Sequence, residues 1–212
     1  MHQLESERLL LRQWRETDRE PWAALCADPE VMEFLGAPRN RATSDAAIDR
    51  WRDRIIDQGW SFWALEIKQT TEFIGMAGLQ VPAEPHPYLP CIEVGWRLAR
   101  SHWGRGYASE AAGRALRFAF EVLEVPEVIA TTAKNNARSS AVMRRIGMLG
   151  PLETFIHPGV REGSLLRVHV LFRISRQRFY SLAASDPNVQ SGGVWRTGSL
   201  PSPRAQPPRS SS

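Results

Sequence analysis

The sequence predicts an α/β fold in one domain over residues 1–184, and three observations carry the prediction. Runs rich in aromatic and β-branched residues, several alternating apolar with polar, mark strands. Between them, apolar residues at helical spacing follow capping residues and end on glycine. The run CIEVGWRL passes through the glycine-rich stretch HWGRGYAS directly into an alanine-rich helical pattern. In a chain of 212 residues, 42% hydrophobic and 24% charged, there is enough apolar surface for a sizeable core.

Arg8 to Trp14 reads as the first strand. Thr17 or Asp18 caps a helix through Ala27 that carries Trp22, Leu25 and Cys26 on one side. A second helix follows Thr43 and Ser44, with Ile48, Trp51 and Ile55 in register and Gly59 as its stop. Trp60 to Lys68 and Glu72 to Gln80 form a hairpin, and Gly75 and Gly78 in its second strand predict close packing against it. The prolines from Pro82 to Pro90 exclude a regular element. Cys91 to Leu98 alternates Ile92, Val94, Trp96 and Leu98 with Cys91, Glu93, Gly95 and Arg97. Ala108 to Leu123 is helical, Val125 to Ala133 a strand, and Asn135 to Ile146 a short helix stopped by Gly147. Leu152 to Ile156 and Leu166 to Ile174 read as an antiparallel pair. From Ser185 the composition turns to Ser, Pro, Gly and Arg and predicts a disordered tail, 185–212.

Charge and composition exclude several classes. Of the formal +4, half sits in the tail, where Arg196, Arg204 and Arg209 outnumber Asp186, so the body lacks the basic clustering of a nucleic-acid binder. Cys26 and Cys91 are too few and too far apart for a disulfide framework or zinc site. His86, His102, His157 and His169 show no metal-ligand spacing and read as surface or core histidines; no metal is expected. Cys91 reads as a buried thiol. Trp60, Phe62, Trp63 and Trp96 read as core, with one of them available to line an acceptor pocket. The N-terminal stretch has charges on both sides of its short apolar run, unlike a signal peptide, and no apolar run reaches the ~18–20 residues of a membrane span. A cytoplasmic protein without membrane contact, monomer or homodimer, is expected.

A strand, a glycine-rich turn and a helix in that order bring several backbone N–H groups and the positive end of a helix dipole to one point. Gly104 and Gly106 can take positive φ there and let an anion approach the chain. The ending Gly-Lys-Ser/Thr of a Walker loop is missing, and Ser109 stands where a dinucleotide fingerprint has its third glycine. By itself the loop is equally consistent with a tight turn that holds nothing.

Three pieces taken together go further. The strand IEVGWRL, the loop and helix start WGRGYASEA, and Asn136, Ser139, Val142 and Gly147-Met148 in NARSSAVMRRIGM stand in the order of the GCN5-related N-acetyltransferase superfamily, and residues 6 to 180 resemble it. Within it, EFIGMAGL and HPGVREGSLLRVHVLF are similar to the subgroup of ribosomal-protein N-terminal acetyltransferases. The resemblance implies a mixed, mostly antiparallel sheet of six to seven strands, about four flanking helices, and a splayed parallel strand pair, Cys91 to Leu98 beside Val128 to Ala133. It implies acetyl-coenzyme A as cosubstrate, its arm along Trp96 and Leu98, its pyrophosphate on the amides of Gly104, Arg105, Gly106, Tyr107 and Ala108, and Asn136 holding the arm or capping its helix. Ser101 stands where the superfamily signature has Gln or Arg, so Arg105 is the assisting side chain to expect.

The acceptor implied is a primary amine, a protein α-amine or a small molecule. Its proton needs a base, and superfamily members often use a glutamate in this strand; Glu93 is the candidate, with pairing to Arg97 as the structural alternative. The tyrosine that many members use as acid, four residues before the helix-ending glycine, is replaced by Met143, and Ser139 is the candidate in its stead. A protein that binds acyl-coenzyme A as a sensor, without turnover, is the other class open.

Overall fold

A computed structural model of the chain describes residues 3–185. The expected tail therefore lies, but for its first residue, outside the described residues. One mixed sheet of eight strands organises the fold, in the order β1-β2-β3-β4-β5-β6-β8-β7. The strands are β1 (Leu4–Glu5), β2 (Leu9–Arg12), β3 (Phe62–Ile67), β4 (Phe73–Gln80), β5 (Glu93–Leu98), β6 (Glu127–Ala133), β7 (Thr154–Ile156) and β8 (Val168–Ser175). The helices are α1 (Arg19–Ala27), α2 (Pro29–Met32), α3 (Arg41–Gln58), α4 (Tyr107–Glu121), α5 (Ala137–Arg145) and α6 (Arg176–Ser185). Only β5 and β6 run parallel. The strand β1 and the helices α2 and α6 exceed the sequence expectation: β1 has two residues and α2 one turn, too short for a periodicity to register.

Adjacent strand residues point to opposite faces, and Phe62 and Trp63 show what covers each. Trp63 meets Phe118 of α4 with ring centroids 5.4 Å apart, whereas Phe62 meets Trp51 of α3 at 5.5 Å. Helix α4 therefore lies on one face, where Ala111, Ala112, Ala115 and Ala119 are buried and bring it close to β4 and β5. On the other face α1 and α3 pack together around Trp14, Trp22 and Trp51, whose centroids lie 5.3–5.4 Å apart. A buried ion cluster anchors this half: Arg12 donates to Asp18 at 2.7 and 2.9 Å and to Glu66 at 2.7 Å. Burial works against the Arg12 charge, but these carboxylates outweigh it and raise its pKa.

Two capping expectations are corrected. Asp18 stands at the N-cap of α1 without a side-chain cap, because its carboxylate is committed to Arg12 and to the Arg15 N–H. Helix α3 is capped by Asn40, whose side chain accepts from the Thr43 N–H at 2.9 Å, three residues ahead of the expected start. Gly59 ends that helix at φ +87°, as expected. The strand expected from Cys91 begins at Glu93. Glu93 and Arg97, expected on the face opposite Ile92 and Val94, are both buried, Arg97 beneath Trp22 and Cys26 of α1 and Glu93 between Gln80 and Thr131 of the neighbouring strands.

The close packing predicted at Gly75 and Gly78 is backbone against backbone. A Cβ on Gly78 would stand 2.1 Å from the Ser61 carbonyl oxygen, and one on Gly75 would stand 2.2 Å from that of Arg97. Gly78→Ala is expected to lower the unfolding free energy by about 2–3 kcal/mol in urea denaturation. Gly113→Ala, in α4 with nothing within 4 Å of the added carbon, is expected to raise it by about 0.5–1 kcal/mol. Equal effects at the two positions would refute the packing argument.

Candidate functional site

Strands β5 and β6 meet at a single pair, Glu93 with Ile129, where the Ile129 N–H donates to the Ile92 carbonyl at 2.9 Å. Each is held along its outer edge, β5 by six pairs with β4 and β6 by seven with β8. The Ala99 N–H donates to Ile74 at 2.9 Å, on the β4 side, so alternation turns the main chain of Trp96 and Leu98 toward the unpaired edge. There the Trp103 indole donates to the Leu98 carbonyl at 2.9 Å. The Leu98 N–H and both main-chain groups of Trp96 have no strand opposite.

A cleft of about 660 Å³ opens at this splay. Of the residues singled out from the sequence, Glu93, Trp96, Leu98, Gly104, Gly106, Tyr107, Ala108, Asn136 and Ser139 all line it. Arg105 belongs to the loop but is exposed and outside the lining; Arg138 and Arg145 line the cleft instead.

Gly104 and Gly106 adopt φ +75° and +82°, and Gly106 stands at the N-cap of α4 with no side-chain cap. The first-turn N–H groups of Tyr107, Ala108 and Ser109 have no acceptor within the helix by construction. Arg8, which no local pattern marks out, fixes the loop from behind. It donates to the Arg105 carbonyl at 3.0 Å and to Glu110 at 2.7 Å, and its guanidinium lies over the Tyr107 ring at 4.6 Å. The Arg105 carbonyl is drawn to the Arg8 side.

Glu93 is not paired with Arg97. Its two oxygens accept from Gln80 Nε2 at 2.8 Å and Thr131 Oγ1 at 2.6 Å, so neighbours on β4 and β6 hold the carboxylate across the sheet at the apex of the splay. Asn136 caps α5 through its Oδ1, and its Nδ2 donates to Thr132 at 2.9 Å and to the Ser139 hydroxyl at 3.1 Å. With both of its ends engaged inside the protein, this amide orients Ser139, whose own hydroxyl proton is left for the cleft. Met143 is buried beside it.

The loop, the splay and the carboxylate border one cleft, and residues 8–149 match the acetyltransferase (GNAT) domain model. The chain belongs to the GNAT acetyltransferase family. Family membership implies acetyl transfer from acetyl-coenzyme A. The FsC-acetyl coenzyme A-N(2)-transacetylase of Aspergillus fumigatus is 35% identical over 159 residues, covering 69% of this chain and 67% of that protein. An acetyltransferase from Agrobacterium tumefaciens superposes with a TM-score of 0.64 at 26% identity, covering 82% and 94% of the two chains. The spermidine N-acetyltransferase of Vibrio cholerae, solved with CoA and spermine, shares the fold at a TM-score of 0.64 and 18% identity, covering 82% and 98%. The uncapped amides and the open strand edge of this GNAT domain fit a ligand that carries a diphosphate and an amide-bearing arm.

Three of the four noted histidines gather in the fold, and two of them share the cleft lining with Glu93. The rings of His157 and His169 are 4.5 Å apart, that of His86 is 5.9 Å from His157, and His157 and His169 line the cleft. Nothing in their spacing foretold this, because β7 and β8 and the proline-rich loop bring them together only in the fold. Burial, then His86, lowers the His157 pKa; burial, then His157, holds His169 at about 4. Burial, with Glu93 adding to it, pushes the Cys91 thiol up to about 11, which leaves it protonated and unreactive at neutral pH.

A histidine depressed to about 4 in the fold, against about 6.5 in the unfolded chain, makes the unfolded state the better proton binder between those values. Its stabilisation is complete above pH 6.5 and is lost as pH falls toward 4, by about 2–3 kcal/mol. His169→Gln is expected to flatten the pH dependence of urea stability across that interval. An unchanged slope would show that His169 is protonated in the fold.

Proposed function

We propose that the protein is an N-acetyltransferase that moves an acetyl group from acetyl-coenzyme A directly to a primary amine. The observation that carries this reading is the coincidence, in one cleft, of an open strand edge, an uncapped glycine-rich helix start and a doubly hydrogen-bonded glutamate. The amides of Gly104 to Ala108 hold the pyrophosphate, with Arg138 and Arg145 adding positive charge beside them. The arm pairs along Trp96 and Leu98, where the Leu98 N–H polarises the thioester carbonyl. Glu93 receives the proton of the attacking amine, and Ser139, oriented by Asn136, returns one to the departing thiolate. Asn136 is thus a positioning residue. The motif likeness to ribosomal-protein N-terminal acetyltransferases supports a protein α-amine as acceptor, while the activities of the Aspergillus relative and of the Vibrio fold-mate support a small molecule.

Met143, standing where many family members have their acid, favours a second reading, an acyl-coenzyme A sensor without turnover. A thiol-release assay over peptide and small amines separates the two: turnover with any amine excludes the sensor.

Acetyl-coenzyme A is expected to raise the melting temperature, since a ligand bound only by the native state stabilises it. Gly106→Val, forced into left-handed backbone, is expected to lose that rise, and an unresponsive parent protein would sink the acetyl-coenzyme A assignment. Glu93→Gln is expected to keep the rise and lose about 10²–10⁴ in kcat. Full activity in that variant would place the base elsewhere.

A further inference from the structure

The cleft is divided electrostatically. Besides Arg138 and Arg145 near the loop, it is lined by Arg39, Arg50 and Arg54 from the α2–α3 side and by Arg97 of β5. The only carboxylate in the lining is Glu93. Several other arginines are paired with acids: Arg19 with Glu16 and Asp49, Arg41 with Glu20 and Asp45, Arg100 with Glu30, and, near the loop, Arg138 with Glu33. Among the described residues, no carboxylate lies within 4 Å of Arg39, Arg50, Arg54 or Arg97. Arg50 and Arg54 are one helical turn apart on α3, a like-charge spacing that is mildly unfavourable without an anion between them.

Arg97 makes the case stronger, because its side chain is more than nine-tenths buried. Its Nη1 donates to the Cys26 sulfur at 3.2 Å and its guanidinium lies over the Trp22 ring at 5.1 Å, but its Nε has no acceptor. A buried guanidinium without a counter-ion costs several kcal/mol. Burial lowers its pKa, and Arg39 adds to the repulsion. Arg97 and Glu93 lie on the same face of β5, the face on which α1 and α3 pack, so acid and cations border one chamber from opposite ends.

We propose that this chamber selects an acceptor amine that also bears a carboxylate, an amino-acid-like molecule whose amine points to Glu93 and whose carboxylate is held by Arg39, Arg50 and Arg54 in the positive field of Arg97. Guanidinium groups match a carboxylate by paired hydrogen bonds. A polycation such as spermine meets four unneutralised positive charges on the same path.

The inference rests on the N-acetyltransferase reading, and the experiment keeps the two apart. Acetyl-coenzyme A binding is measured by calorimetry, and thiol release is followed with the free amino acids, the corresponding amino acid amides, spermidine and phosphoethanolamine. Preferred amino acids are expected to exceed their amides at least tenfold in kcat/KM, with spermidine inactive. Arg50→Gln combined with Arg54→Gln, both exposed and neutral to folding, is expected to raise KM for the amino acid at least tenfold and to leave acetyl-coenzyme A affinity unchanged. Amides or spermidine used as well as the amino acids, or the double variant losing acetyl-coenzyme A instead, would overturn the proposal; preference for phosphoethanolamine would overturn the carboxylate and leave an anion. Where no amine is acetylated, the N-acetyltransferase reading fails, and calorimetry of the same amines on the CoA-loaded protein decides the chamber's selectivity by the same comparisons.

Discussion

The fold turns on one interrupted contact. Parallel strands in an α/β sheet ordinarily pair along their length, because unpaired main-chain N–H and C=O groups away from water are costly. Here β5 and β6 pair only between Glu93 and Ile129, and then diverge. The sheet survives because each half is complete in itself, β1 to β5 on one side and β6 with β8 and β7 on the other. The two halves of the sheet are joined at one point and bridged there by the Thr131 hydroxyl, which donates to Glu93, while Gln80 of β4 holds the other carboxylate oxygen. The candidate base is thus also the stitch that holds the apex of the cleft.

Features around the splay are arranged to keep it open and to present main-chain donors to it. Trp103 reaches back to the Leu98 carbonyl and fixes the loop on the strand it follows. Arg8 draws the Arg105 carbonyl away from the cleft, while Glu110, an acid in the first turn of α4, is engaged by Arg8 and Ser6. On the far side, Asn136 ties the end of β6 to the start of α5 through Thr132 and Ser139. The tryptophan cluster packs α1 and α3 against the opposite face, and the buried Arg12–Asp18–Glu66 group ties the start of α1 to β2 and β3.

The parts legible in the sequence were those encoded locally. The alternation of IEVGWRL, the glycines of the loop and the alanine face of α4 each act within a few residues, and the structure keeps all three. What stayed illegible depends on contacts between distant segments. Asp18 looked like a helix cap and is held by Arg12; a pairing of Glu93 with Arg97 was the structural alternative in the sequence, and the two have separate partners, Gln80 and Thr131 for one and Cys26 for the other. Arg8 offered no pattern at all, since its role exists only when β2 passes behind the α4 loop. The histidines show the same limit: isolated in the chain, they share one wall once β7 pairs with β8.

The charges of the cleft bear on its chemistry as well as on its choice of guest. An amine of ordinary pKa enters as an ammonium, and a nearby positive charge favours its neutral form, as does withdrawal from water. At an effective dielectric of about 20, two unit charges about 13 Å apart, the span of four residues along a strand, interact by about 1.3 kcal/mol, enough to shift the amine by about one pKa unit. If an acceptor carboxylate neutralises part of the arginine field, the remaining charge, Arg97 above all, still bears on the amine. A base at Glu93 would then have less to do than one working in bulk water: it would take a proton that its surroundings already disfavour, at the point where the two strands part.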